Sequence, residues 1–190
     1  MATPNQTLGT RRVFANLKYL YVTPWTDEST LGTNTYDIVD VVADTTSIEQ
    51  AENDVNAIDH EFSSSPLYEN VNLGEKTFSC ESIDLQNDVL KQLFGWTLDP
   101  QGNVAFAPTG YQDLYVAMEI GFNSTDDIIV LPKVKMNSRA VIASMRTDVS
   151  RANITGSCYP AYVNGVNTDM AFVKGKTSYT ITAKASTQGA

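Results

Sequence analysis

The sequence predicts a mainly β protein: an antiparallel two-sheet sandwich or barrel-like fold with one flanking α-helix, at about 84–94. Three observations carry this expectation. About nine or ten short segments alternate apolar and polar residues between closely spaced turn signals. One stretch alone, "CESIDLQNDVLKQLFGW" (Cys80 to Trp96), repeats its apolar residues with a helical period. The chain has 190 residues, 42% of them hydrophobic, enough to bury one core.

The elements follow in order. After a polar arm, 1–14, "LKYLYVT" (Leu17 to Thr23) alternates as a strand. "PWTDESTLGTNT" (Pro24 to Thr35) reads as a turn-rich loop. Ile38, Val39, Val41 and Val42 form a β-branched run that predicts a second strand. The acidic continuation to Phe62 has only Ile48, Val55 and Ile58 as apolar points. Asn53, Asp54, Asn56 and Asp59 weaken a helix there, so it reads as an extended strand with one wet face. "KTFSCESID" sets Phe78 and Cys80 against Thr77, Ser79 and Glu81.

In the helical stretch Asp84 is placed to cap. Leu85, Val89 and Leu93 recur every fourth residue, Leu90 and Phe94 widen the apolar stripe, and Gly95 supplies the left-handed stop. Trp96, with Phe94, is expected in the core where the helix docks. "GNVAFAP" follows a "DPQGN" turn. Leu114, Val116, Met118 and Ile120 then share one strand face, and "NSTDD", with Asp126 and Asp127, reads as a hairpin turn. "IIVLPKVKMNSRAVIASMRTDVSR" predicts two long strands parted near Met136 to Ser138. "ANITGSCYPAYV" and "KTSYTITAKA" are the last strands before a polar tail, 185–190. The whole, 1–190, reads as one domain.

The usual catalytic motifs are missing: no GxGxxG, GxxxxGK[ST], HExxH, CxxC or GxSxG occurs. With a single histidine, His60, and two cysteines, neither His-based catalysis nor an ordinary zinc site is expected. The expectation is no enzyme, no cofactor and no metal. Carboxylate pairs abound, as they must in so acidic a chain. Cys80 and Cys158 allow one disulfide, but two buried thiols fit a reducing compartment better. The first residues lack the apolar core of a signal peptide, and runs such as "IIVLP" fall far short of a membrane span. A soluble cytoplasmic chain without membrane insertion is therefore expected. Trp25, Trp96, Tyr111 and Tyr115 are not interleaved with basic residues, which disfavours sequence-specific nucleic-acid binding.

The net charge of -9 is uneven. No Lys or Arg lies between Lys18 and Lys76, while Lys and Arg outnumber Asp and Glu after Asp127. Such asymmetry points to self-complementary association or to two different faces.

Two long stretches resemble the major tail tube protein of long-tailed bacteriophages. In "DTTSIEQAENDVNAIDHEFSSSPLYENVNLGEKTFSCESIDLQNDVLKQLFGW", an acidic strand and a "PLYE" turn lead through a second strand to a helix ending in "LFGW". The later "DDIIVLPKVKMNSRAVIASMRTDVSRANITGSCYP" is similar to the second half of the same domain. Together they cover Ile38 to Tyr162; the Pro24 to Thr35 loop and the segment after Tyr162 have no place in the comparison.

The resemblance implies a tail tube fold and hexameric rings stacked into a hollow tube through which double-stranded DNA passes non-specifically into the host. It further implies tape measure, baseplate or tail-tip and tail terminator proteins as partners. The location would be the virion tail, after assembly in the host cytoplasm. The tube ring of a type VI-like secretion system is the alternative, and a β-sandwich binding module a third reading. Under the tube reading Glu49, Glu52, Asp54, Asp59 and Glu61 are candidates to face the lumen. An acidic bore repels DNA weakly, over a screening length of about 8 Å, where a basic one would hold it. Arg11 and Arg12 of the arm, with Trp25, Asp27 and Glu28 of the loop, are candidates for contacts between rings. Leu85, Val89, Leu90, Leu93, Phe94 and Trp96 would close the outer side as a structural lid.

Overall fold

Strict alternation sorts the faces of the strands. Along Arg151–Tyr159, Ala152, Ile154, Gly156 and Cys158 are buried while Arg151, Asn153, Thr155 and Ser157 are half-buried. Along Lys76–Ser82, Phe78, Cys80 and Ser82 turn inward. A computed structural model describes residues 14–58, 68–83, 85–109, 113–141, 150–175 and 177–183. The elements are β1 (Leu17–Pro24), β2 (Tyr36–Asp37), β3 (Ser47–Gln50), β4 (Asp54–Ile58), β5 (Tyr68–Asn72), β6 (Lys76–Ser82) and α1 (Asn87–Phe94). There follow β7 (Thr97–Leu98), β8 (Ala105–Phe106), β9 (Tyr115–Phe122), β10 (Thr125–Met136), β11 (Arg139–Val141) and β12 (Arg151–Tyr159). Last come β13 (Ala161–Val163), β14 (Val166–Thr168), β15 (Ala171–Val173) and β16 (Ile181–Thr182).

Among the described residues the fold is mainly β and antiparallel with one helix, as the sequence predicts. Of the expected forms, sandwich or barrel-like, the main sheet takes the barrel-like one. One continuous nine-stranded sheet runs β2-β1-β9-β10-β12-β6-β3, with β11 on β12 and β15 on β10; β13–β14–β16, β4–β5 and β7–β8 form small sheets. Leu20 and Val22 of β1, Met118 of β9, Leu131 and Val134 of β10, Ile154 of β12 and Phe78 of β6 meet in one cluster. The sheet is rolled: residues 38 and 42 bond to β1 and β6, which three intervening strands would hold about 19 Å apart in a flat sheet, further than four extended residues reach. The seam between β1 and β6 is closed by residues 38–46. Ile38 N–H donates to Leu20 O at 2.9 Å, Val42 N–H to Glu81 O at 2.8 Å, and Val41 bridges to Ser82.

That closure corrects the strand expected over Ile38 to Val42. Only Tyr36 and Asp37 pair as a strand, because Asp40 (φ 54°) and Asp44 (φ 62°) take left-handed conformations that bend the run. Three further differences are local. The turn after β9 closes at Asn123 and Ser124, so Asp126 and Asp127 lie on β10 rather than in the turn. Of the strand expected after Ser138 the described residues show Arg139–Val141, 142–149 lying outside them, and the described part of "KTSYTITAKA" pairs as strand only at Ile181 and Thr182. Pro132, which has no N–H to donate, sits where the β9–β10 register shifts between Leu131 and Val134.

The helix begins later than predicted. Its N-cap is Gln86, which makes no side-chain cap bond, and Asp84 lies outside the described residues. Leu85 therefore precedes the helix, half-buried against the core. Gly95 ends it at φ 69°, and Trp96 N–H folds back on Leu90 O at 3.2 Å. Val89, Leu90, Leu93 and Phe94 are buried in the main cluster and Trp96 packs on it half-buried. Each buried side chain contributes roughly 1.5–3 kcal/mol by transfer. Cys80 and Cys158 are buried free thiols. Ile154 faces Cys80, so Cys158 lies four residues further along β12, roughly 13 Å away along the strand and out of disulfide range.

Candidate assembly surfaces

The hairpin from β3 to β6 is longer than the sheet that carries it. Within the sheet Gln50 faces Lys76, beyond it Asp54 faces Asn72, and between them Ala51 N–H reaches Glu75 O at 2.9 Å. The register is the same on both sides of this break, so β3 and β4 are one strand line and β5 and β6 the other. From Ser47 to Ile58 the line spans roughly 40 Å. Its inner half belongs to the nine-stranded sheet, while its outer half, β4–β5, pairs with nothing else among the described residues. Gly74 permits the close crossing at the break, where a Cβ would lie 1.9 Å from Ala51 O; its N–H donates to Asn53 Oδ1 at 3.0 Å.

The structure gathers the described lumen candidates on this arm. Glu49 is exposed on β3, Glu52 is exposed at the break, and Asp54 opens β4. Asp59 and Glu61 lie outside the described residues, as do Arg11 and Arg12. Leu73, beside the break, is 78% exposed.

The Pro24 to Thr35 loop is pinned from within. Trp25 is buried, its indole N–H donating to Pro132 O at 3.2 Å, so this expected outward contact points into the molecule instead. Asp27 and Glu28 are exposed. The Asp27 carboxylate accepts both the hydroxyl and the amide of Ser29 at 2.7 Å, which holds its pKa below the usual range. Lys133 donates to Glu28 O at 2.9 Å while lying over Trp25 and, at 4.5 Å, over Tyr115. Lys135, ion-paired with Asp113 at 2.7 Å, approaches the same Tyr115 ring, and Tyr159 meets that ring edge-on. Basic and aromatic residues separate in sequence thus interleave across β9, β10 and β12. Strand pairing is the signal, and it is invisible to linear spacing.

A second polar cluster joins residues far apart in the sequence. Glu119 of β9 accepts the Tyr19 hydroxyl at 2.8 Å and the Tyr179 hydroxyl at 2.5 Å. Burial, and then the hydrogen bond to Glu119, push both phenol pKa values well above their ordinary range, so both remain donors. Among the described residues no group of three His, Cys, Asp or Glu is placed to hold a metal, and no helix is long and apolar enough to cross a membrane.

No protein-family model and no curated protein matches this chain. Among solved structures it is similar to a chain in the six-fold symmetrised cryo-EM structure of the anti-feeding prophage baseplate. The identity is 11%, the match covers 90% of this chain and 100% of that one, and the TM-score is 0.40.

Proposed function

We propose that this protein is a structural subunit of a phage-type tail, assembling with copies of itself into stacked hexameric rings that form a hollow tube for double-stranded DNA. The observation that carries the reading is the continuous arm. A two-stranded ribbon is marginal in water, and β4–β5 leaves its own sheet with no third strand beside it among the described residues. It becomes stable when another surface covers it, and a second copy supplies such a surface in every ring. The absence of Lys and Arg from Lys18 to Lys76 makes the arm acidic, and symmetry repeats Glu49 and Glu52 around the assembly. An acidic lining lets DNA slide where a basic one would bind it. The inward docking of Trp25 leaves Asp27 and Glu28 as the loop's exposed charged groups for contacts between rings.

Electron microscopy and light scattering of the purified protein, dilute and concentrated, test the reading. Rings or tubes are expected from the wild type. A variant with Asn53 joined to Leu73 through a short Asn-Gly turn should stay folded and monomeric. Compact wild-type monomers at every concentration, also after seeding with tail tips, would overturn the proposal; equal assembly by the armless variant would remove the arm's role.

A further inference from the structure

Beside β1 and β9 a cleft of about 390 Å³ is bounded by Tyr19, Tyr21, Tyr179, Glu119 and Ile128. Tyr19 and Tyr21 stack at 4.3 Å between centroids. Tyr19 lies flat over Gly121, whose missing side chain makes the room: a Cβ there would be 2.3 Å from the ring. All three tyrosines are half-buried, as is Glu119. The two phenols that bond Glu119 orient its carboxylate without neutralising it, and none of the ion pairs among the described residues involves Glu119. The result is a carboxylate fixed by two phenol hydroxyls at an open cleft, with Tyr21, its cross-strand neighbour, beside it.

We infer that Glu119 with Tyr19, Tyr21 and Tyr179 forms a binding site for an organic monocation, a guanidinium or alkylammonium group. The carboxylate supplies the counter-charge, and the Tyr21 ring, opposite Glu119 at the cleft, adds cation–π attraction. A divalent metal is a poor match, because it wants several oxygen ligands and the cleft has one carboxylate. Phosphate is excluded by sign. The cation can come from a free small molecule or from an Arg or Lys side chain of a second copy; the second source rests on the self-assembly proposed above, the first does not.

The test is a titration with tetramethylammonium and with arginine methyl ester at constant ionic strength, read by NMR on the tyrosine rings. Saturable shifts confined to Tyr19, Tyr21 and Tyr179 are expected, weakened at least tenfold in Glu119→Gln. Tyr21→Leu leaves both hydrogen bonds to Glu119 in place and should weaken binding by about two- to fivefold. That variant keeps the test valid if Glu119→Gln unfolds. Light scattering then separates the sources: competition by arginine methyl ester against assembly assigns the site to a neighbouring copy, and unaffected assembly assigns it to a free cation. Absence of saturable shifts in the wild type, or equal shifts in both variants, would overturn the proposal and leave the cluster as a clasp for 177–180.

Discussion

Replacing Gly121 with Ala tests the Tyr19 cluster directly. The added Cβ would lie 2.3 Å from Cε1, 2.4 Å from Cζ and 2.8 Å from Cδ1 of Tyr19, the residue facing Gly121 in register. No carbon pair tolerates such distances, so the ring must move. Moving it strains or breaks the 2.8 Å bond to Glu119 and parts the stack on Tyr21. Overpacking costs about 1–3 kcal/mol, and losing a hydrogen bond to a charged acceptor about 1.5–3 kcal/mol. Part of one is relieved by accepting the other, so about 2–4 kcal/mol is expected. Urea unfolding followed by circular dichroism measures it, with a Tm fall of roughly 4–16 °C for a chain this size. The control is Tyr19→Ala. In that background the space is empty, and Gly121→Ala should be neutral or slightly stabilising, since Gly in a strand costs about 0.5–1 kcal/mol relative to Ala. An equal penalty in both backgrounds would refute the assignment of the strain to this pair.

Further outcomes follow from other parts of the molecule. Leu93→Ala, at a site only 1% exposed, should cost about 2–5 kcal/mol in urea unfolding, and a cost below about 1 kcal/mol would mean that the helix does not close the core. Trp25→Phe removes the indole donor to Pro132 O and should lower stability by about 1 kcal/mol; faster amide exchange at Gly32, whose N–H donates to Pro24 O, would locate the change in the loop. Burial pushes the thiol pKa from 9.0 up to about 12 at Cys80 and up to about 11 at Cys158. Both folded values exceed the unfolded one, so above pH 9 the unfolded chain holds fewer protons. This stabilising contribution is intact below pH 9 and is lost as pH rises through about 11–12, and Cys80→Ala should flatten that part of the urea-derived stability profile. Iodoacetamide at pH 8 should modify native protein far more slowly than urea-unfolded protein.

Periodicity made part of this structure legible before any coordinates. The apolar faces of β6, β9 and β12 and the stripe of α1 follow from repeats of two and of about 3.6, which depend on local geometry alone. The helix start was not legible, because no side-chain cap marks it: Gln86 stands at the N-cap. The run Ile38 to Val42 misleads for a different reason. β-branched residues fit any half-buried extended surface, and two aspartates in left-handed conformations convert a strand into a seam closure. Asn164 and Gly165, at φ 50° and 81°, join β13 to β14 by the dipeptide that most favours a tight hairpin, a signal that alternation alone does not use. The Glu119 cluster joins residues 100 and 60 positions apart, and no linear pattern encodes that.

The two ends of the rolled sheet meet opposite fates, and that contrast bears on function. At one end β2 leads into residues 38–46, whose hydrogen bonds to Leu20 and Glu81 occupy backbone groups that an open edge would expose. At the other end β3 continues past the sheet into β4 without losing register. A chain selected only for solubility would blunt this second edge as it closes the first, with a bulge, a proline or an early turn. Instead Gly74 and Asn53 hold the crossing that lets the hairpin run on. Gly74→Ala probes the distinction. Its Cβ would meet backbone atoms of Ala51 and Glu52, which cannot yield as a side chain can, so the hairpin must open at the break. If the arm is an assembly element, the variant should keep a melting temperature within a few degrees of wild type, because the core cluster is untouched, yet form rings poorly. Normal rings from Gly74→Ala would show that continuity across the break is not what assembly needs.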